Sequence, residues 1–219
     1  MRSENMTLLI NEIFYSIQGE SLYSGLPCAF IRLAGCNLRC AYCDTKYAYN
    51  EGSEIETDHL VKKISEFGCP LVEITGGEPL IQEETPVLIE KLLDNKFSVL
   101  LETNGSLDIS YIDKRCIKII DIKCPTSGES EKNNLANINR LNQKDQIKFV
   151  IGNRVDYEFA KDIVKQIPKT FFRENILFSP IYNKLELSEL ARWMLKDKLT
   201  VRFHLQLHKI IWPDTIRGV

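Results

Sequence analysis

Three cysteines, Cys36, Cys40 and Cys43, stand in a C-x3-C-x2-C spacing inside Gly35-Cys36-Asn37-Leu38-Arg39-Cys40-Ala41-Tyr42-Cys43-Asp44-Thr45. The apolar run Cys28-Ala29-Phe30-Ile31-Arg32-Leu33-Ala34 leads into it, so a strand end delivering a short loop would bring three thiolates to one point. Thiolates are soft ligands that favour iron–sulfur clusters, zinc or copper(I). Structural zinc closes a shell of four ligands, commonly two pairs of Cys or His. Here there are three close ligands, no second C-x-x-C, and no histidine within fifteen residues on either side. A cubane iron–sulfur cluster normally takes four cysteines, so three would leave one iron open to another ligand. Free cysteine more often behaves as a small buried hydrophobe. Asn37, Arg39 and Asp44 give this stretch the character of a loop instead.

The other candidate groups sit inside apolar runs or where those runs stop. Arg32 lies within an otherwise apolar strand, where a charge is costly unless it is paired or faces a cavity. Its planar fork suits a carboxylate, and an anionic substrate or a buried ion pair would serve equally. Leu71-Val72-Glu73-Ile74 stops at Thr75-Gly76-Gly77-Glu78-Pro79, where glycines lacking Cβ atoms let the backbone approach a ligand closely. Glu78 can accept a hydrogen bond from an ammonium group. Further runs end at Glu102-Thr103-Asn104-Gly105, at Asp121-Ile122-Lys123-Cys124-Pro125 and at Gln206-Leu207-His208-Lys209. Each could be an ordinary turn if taken alone.

The elements that must position these groups read as alternating strands and helices. Strands are expected at 8–14, through Leu33, and at 71–74, 97–101, 116–120, 146–151, 175–179 and 200–205. Helices are expected from Thr57 to Gly68 and over 87–93, 155–167 and 187–196. Ser16-Ile17-Gln18-Gly19-Glu20-Ser21 reads as a polar loop, 47–56 as irregular, and 126–134 as a further loop. Strand–helix alternation argues for parallel βαβ units, whose functional loops gather at the carboxyl ends of the strands. The five polar clusters should therefore share one face. The strands are too few for a complete eight-fold barrel, so the fold class is α/β, a partial, open parallel β/α barrel.

Composition fits one globular unit. The 219 residues carry 44% hydrophobic and 26% charged residues and a net charge of -2, with no basic footprint for nucleic acid. No apolar run approaches the ~20 residues of a membrane span, and the opening Met1-Arg2-Ser3-Glu4-Asn5-Met6 lacks the pattern of a signal peptide. Seven cysteines, odd in number and irregularly spaced, suit a reducing compartment. A cytoplasmic location is expected, with no nucleic-acid or membrane partner.

The cysteine triple resembles the signature of the radical S-adenosylmethionine (SAM) enzymes, in which the open iron binds SAM and reductive cleavage yields a 5′-deoxyadenosyl radical. T-G-G-E-P resembles the motif of that superfamily that contacts the SAM amino group. Gly76, Gly77, Glu78, Asn104 and Lys123 match positions near SAM. Glu12-Ile13-Phe14, Ser16-Ile17-Gln18-Gly19-Glu20, Phe30-Ile31-Arg32, Cys43-Asp44-Thr45 and Gln206-Leu207-His208-Lys209 follow in order. That series is similar to the 7-carboxy-7-deazaguanine synthase family, from near residue 10 onward. Ser21 stands where the family usually has a second glycine, and the ending Arg217-Gly218-Val219 differs from members that end in proline.

The resemblance implies a single radical SAM domain over 1–219, with a 4Fe–4S cluster on Cys36, Cys40 and Cys43. It implies SAM and magnesium as the other cofactors, Thr45 being the magnesium ligand. The implied reaction turns 6-carboxy-5,6,7,8-tetrahydropterin into 7-carboxy-7-deazaguanine with loss of ammonia, in queuosine and deazapurine biosynthesis. Ile17, Gln18, Gly19, Glu20, Arg32, Thr75 and His208 would hold the pterin, together with Val219 on a tail anchored by Ile210-Ile211-Trp212-Pro213. The family forms homodimers and draws electrons from a donor such as flavodoxin or ferredoxin. Two other readings stay open: a glycyl-radical enzyme activase, which is also a short radical SAM protein, and an iron–sulfur electron carrier without chemistry of its own.

Overall fold

The apolar runs become strands of one sheet because each is hydrophobic on both faces, as parallel strands covered on both sides must be. The computed structural model describes residues 6–213, 215 and 217–219; the expectation about residues 1–5 lies outside them. In chain order the strands and α-helices are β1 Thr7–Ile17, β2 Pro27–Leu33, β3 Ser53–Glu56, α1 Thr57–Ser65, β4 Leu71–Gly76, α2 Thr85–Asp94, β5 Ser98–Thr103, β6 Ile117–Ile122, β7 Gln146–Ile151, α3 Arg154–Gln166, β8 Ile176–Pro180, α4 Leu187–Lys196, β9 Arg202–Phe203 and α5 Leu207–Ile211. Among the described residues they form a nine-stranded sheet in the order β3-β1-β2-β4-β5-β6-β7-β8-β9. All pairs from β2 to β9 are parallel, and β1 runs antiparallel to both β2 and β3. With β3 and β9 both at edges, the fold is an open β/α barrel.

Alternation along the strands sorts the side chains into layers. Val72 and Ile74, Val99 and Leu101, Ile120 and Ile122, and Phe149 and Phe178 face outward. They pack against Leu60, Ile64, Leu88, Ile89, Leu92, Tyr157, Ala160 and Leu190 of the helices. Burying a side chain of this kind contributes about 1.5–3 kcal/mol. The intervening residues point inward. Phe14, Phe30, Leu71, Leu100, Ile117 and Ile119 fill the lower interior. One step further along the same strands the inward positions turn polar, at Arg32, Glu73, Glu102, Asp121 and Lys148.

Several elements differ from the sequence expectation. β1 runs on to Ile17, because it is paired with β2 as far as Ile17↔Pro27. β3 lies within the stretch expected to be irregular: its Ser53-Glu54-Ile55-Glu56 is a mostly exposed edge strand with no apolar period to mark it. The last strand shrinks to Arg202–Phe203, and Leu207–Ile211 adds a short helix. The β5–β6 and β6–β7 crossovers carry no α-helix. In its place, buried Asn137 donates to the Gly105 and Leu107 carbonyls and accepts from the Ile109 N–H.

Candidate active site

A cavity of about 580 Å³ opens at the carboxyl ends of the strands, within the usual range of ligand sites. Cys36, Cys40 and Cys43 line one part of it, with none of the seven cysteines in a disulfide. The cysteine loop is pinned from outside. Ala41 N–H donates to the Ser127 carbonyl (2.9 Å) and Arg39 N–H to Glu129 (2.8 Å). The Arg39 guanidinium lies over the Tyr49 ring at 4.3 Å. The T-G-G turn presses against the loop so closely that a Cβ on Gly77 would meet the Gly35 carbonyl oxygen at 1.8 Å. Burial pushes the Cys36 thiol up, and the Cys40 thiol up to about 11, so metal must displace protons from them.

Among the described residues, no three His, Cys, Asp or Glu side chains gather around one metal ion. The three thiols line one cavity from one short loop, near enough for each to feel the others' charge. A cubane offers each thiolate its own iron, so this donor set suits a cluster better than a lone zinc ion.

Beside the cysteines lie Gly76, Gly77, Asn104 and Lys123. Asn104 donates to Asn37 Oδ1 at 2.9 Å, and Lys123 pairs with Asp121 at 2.8 Å. The other Asp121 oxygen and the Tyr42 hydroxyl are buried without a hydrogen-bond partner among the described residues, so both suit a polar ligand here. Glu78 departs from its expectation. It is fully buried, does not line the cavity, and accepts from Leu80 N–H (3.0 Å), Thr103 Oγ1 (2.8 Å) and Asn104 N–H (2.7 Å). Its carboxylate braces the loop and Asn104, while the glycine backbone faces the cavity.

The rest of the cavity is lined by Ile17, Gln18, Gly19, Glu20, Arg32, Thr45, Thr75, His208 and Val219. Arg32 meets both readings at once, since it faces the cavity and pairs with Glu12 at 2.6 Å. Glu12 also accepts from Tyr47 OH (3.0 Å) and from the Gly218 N–H (3.2 Å), tying β1 to the tail. Arg217 stacks over Tyr47 at 4.3 Å and pairs with Glu51. Gly19 is required because a Cβ there would meet the His208 imidazole at 2.2 Å. Leu207 N–H donates to the Gly19 carbonyl at 2.8 Å, Gln206 to Glu20 at 2.9 Å, and Lys209 pairs with Asp44. The Q-L-H-K segment thereby joins S-I-Q-G-E to C-D-T. The Thr45 hydroxyl donates to Asp44 at 3.0 Å. Ser21 holds a left-handed φ of 62°, and its hydroxyl accepts from Tyr23 N–H.

Sequence reasoning missed Glu73, Glu102, Asp121, Lys148 and Tyr47, all of which line the cavity. Glu73 and Lys148 carried the signal used for Arg32, a charge inside an apolar run. Gln18 donates to Glu73. Burial, then the Glu102 charge, pushes the Glu73 carboxyl well above the usual range.

The model of the radical SAM superfamily matches residues 30–194. The chain is similar to a 7-carboxy-7-deazaguanine synthase of Chlorobaculum tepidum, at 46% identity over 99% of this chain and 100% of that protein. It is similar to a synthase of the same name from Koribacter versatilis, at 41% identity over 96% of this chain and 99% of the other. Among solved structures it superposes on QueE from Escherichia coli with a TM-score of 0.75 and 26% identity, covering 93% of this chain and 99% of that one.

Proposed function

The chain belongs to the 7-carboxy-7-deazaguanine synthase family of the radical SAM superfamily, and from that membership we propose that it converts 6-carboxy-5,6,7,8-tetrahydropterin to 7-carboxy-7-deazaguanine. Substrate and product differ by one molecule of ammonia, so the enzyme is a lyase and no net electrons are consumed. The observation that carries the reading is a single cavity lined both by the three cysteines and by Gln18, Glu20, Arg32, Thr75 and His208.

Cys36, Cys40 and Cys43 hold a 4Fe–4S cluster in this reading. The Gly76–Gly77 backbone, Asn104 and Lys123 bind SAM, and Asp121 and Tyr42 present their free polar atoms beside it. When bound, the cluster and SAM supply the one-electron chemistry that removes a hydrogen at C6 of the pterin. Thr45 offers a hydroxyl oxygen to magnesium, a hard cation that keeps most of its waters. Arg32, held by Glu12, faces the substrate carboxylate. Gln18 and Glu20 face the edge of the pterin that donates hydrogen bonds, and His208, whose ring lies on Gly19, lines the same cavity with Val219.

The chain works as a single domain and a homodimer in the cytoplasm, reduced by a flavodoxin or ferredoxin. None of its described helices is long and apolar enough to cross a membrane.

The test is anaerobic turnover of the carboxytetrahydropterin with SAM, dithionite and magnesium. Formation of 7-carboxy-7-deazaguanine with one ammonia per turnover is expected. Thr45→Ala should blunt the magnesium response while the cluster spectrum stays intact. Deoxyadenosine formed without any need for the pterin would point to an activase, and none at all to an electron carrier.

A further inference from the structure

Lys148 is the one lysine that β7 turns into the barrel, with its side chain 5% exposed. Three carboxylates from three other segments meet its ammonium. Glu20 comes from the loop after β1, Glu102 from β5 at 2.7 Å, and Asp121 from β6 at 3.9 Å. Each has a second support: Gln206 donates to Glu20, Thr75 Oγ1 to Glu102 at 3.3 Å, and Lys123 pairs with Asp121 at 2.8 Å. Glu20, Glu102, Asp121 and Lys148 all line the cavity.

We propose that Lys148 is a positioning residue for the substrate, an ammonium set beneath the pterin that gathers Glu20 and Glu102 and aims their remaining lone pairs at its donor edge. The inference rests on the reading of the cavity as a pterin site.

A lysine ammonium has three donors, and an ionised carboxylate has about four acceptor positions. Each carboxylate can therefore bond Lys148 and still accept from a ligand. The amino group and ring N–H of a pterin offer parallel donors, and only an ionised carboxylate accepts from both. Burial alone would push the Glu20 carboxyl up. The Lys148 charge, then His208 and the hydrogen bonds from Lys148 and Gln206, reverse this and hold it well below the usual range. The other groups facing this centre are Glu73 on β4, His204 after β9, His208 on α5, and Lys123, which pairs with Asp121. Burial raises the Glu73 carboxyl and lowers His204 and His208; His208 adds a smaller pull on Glu20, and the Lys148 ammonium gives the largest.

The test uses the full chain loaded with its cluster, comparing wild type with Lys148→Met and Lys148→Arg. The wild type must first turn over the carboxytetrahydropterin; failure there overturns the reading of the site. Given turnover, Lys148→Met should raise the pterin KM about tenfold or more, as loss of one partner of a buried charge pair does. kcat should fall less, and iron content should hold.

The decisive readout is binding of unreactive, oxidised 6-carboxypterin across pH, followed by its fluorescence. Relative to wild type, Lys148→Met should weaken progressively as pH falls and Glu20 takes up a proton; Lys148→Arg should not. If Lys148→Met does not fold, the pair Glu102→Gln/Lys148→Met is compared with Glu102→Gln alone, and the same acid-side loss is expected. An unchanged pH profile and affinity in the variant lacking the lysine would overturn the proposal.

Discussion

At the scale of single residues, seven cysteines divide by environment. Cys36, Cys40 and Cys43 line the cavity, whereas Cys28, Cys116 and Cys124 are fully buried and Cys69 is 5% exposed. Cys69 Sγ lies near the Pro27 and Leu71 carbonyls, and Cys28 Sγ near that of Ala29, as weak donors packed in the interior. Replacing any of the first three by Ala should abolish a reconstituted cluster of about four irons. Ala at Cys28, Cys69, Cys116 or Cys124 should keep the iron and cost stability only, about 1 kcal/mol for each small group deleted from a packed interior. Iron analysis after anaerobic reconstitution checks both halves. Cluster loss in Cys69→Ala with retention in Cys40→Ala would refute the assignment.

At the scale of elements, the site depends on segments far apart in the chain that meet in space. The loop after β1 and the start of α5 are joined by the Leu207–Gly19 backbone bond and by the His208 ring lying on Gly19. Gly19→Ala would force that ring away, since its Nδ1 would lie 2.2 Å from the new Cβ. We expect Gly19→Ala and His208→Ala each to raise the pterin KM, with cluster content unchanged. The double variant should be little worse than the worse single one, because both act through one contact. A double-mutant cycle measures the coupling, expected at about 1 kcal/mol or more. Full additivity would show that the two segments act separately. Ser21 belongs to the same loop: at a φ of 62° it occupies a conformation that the family's glycine adopts without strain.

At the scale of the whole molecule, buried titratable groups tie stability to pH. His204, 7% exposed, has its Nε2 buried without a partner among the described residues. Burial, with a smaller effect of Lys148 against that of Glu20, lowers its pKa from 6.5 to about 4. The unfolded chain therefore binds more protons between these values, and stability rises with pH across that window. The contribution is fully present above about pH 6.5 and is lost as pH falls toward 4, about 3 kcal/mol in all. Denaturant unfolding of wild type and His204→Leu from pH 7.5 to 4.5 should show a shallower acid decline in the variant. Equal slopes would refute the assignment. Glu20 and Glu73, shifted in opposite directions, are common to both proteins and leave the comparison intact.

The sequence by itself determined the cysteine triple, the strand–helix alternation and the polar clusters at strand ends, because these signals are local. Ligand spacing, hydrophobic period and the glycine pair all lie within a few residues of one another. It also placed β7 and α4 at their observed limits, since a strong apolar period marks both. Only the tertiary structure decided which face of each charged residue counts. Arg32 and Lys148 lie in equally apolar runs, yet their partners Glu12, Glu20 and Glu102 come from other strands and loops. Glu78, in the motif with the clearest resemblance, turns inward to brace Asn104. β3 was silent in the sequence for a related reason. The tail, expected to be anchored by Ile210-Ile211-Trp212-Pro213, is held elsewhere, since Ile210 and Ile211 are exposed. Ser53–Glu56 and Arg217–Gly218 are held by pairing with β1 and by Glu12, and such distant contacts leave no mark in local composition.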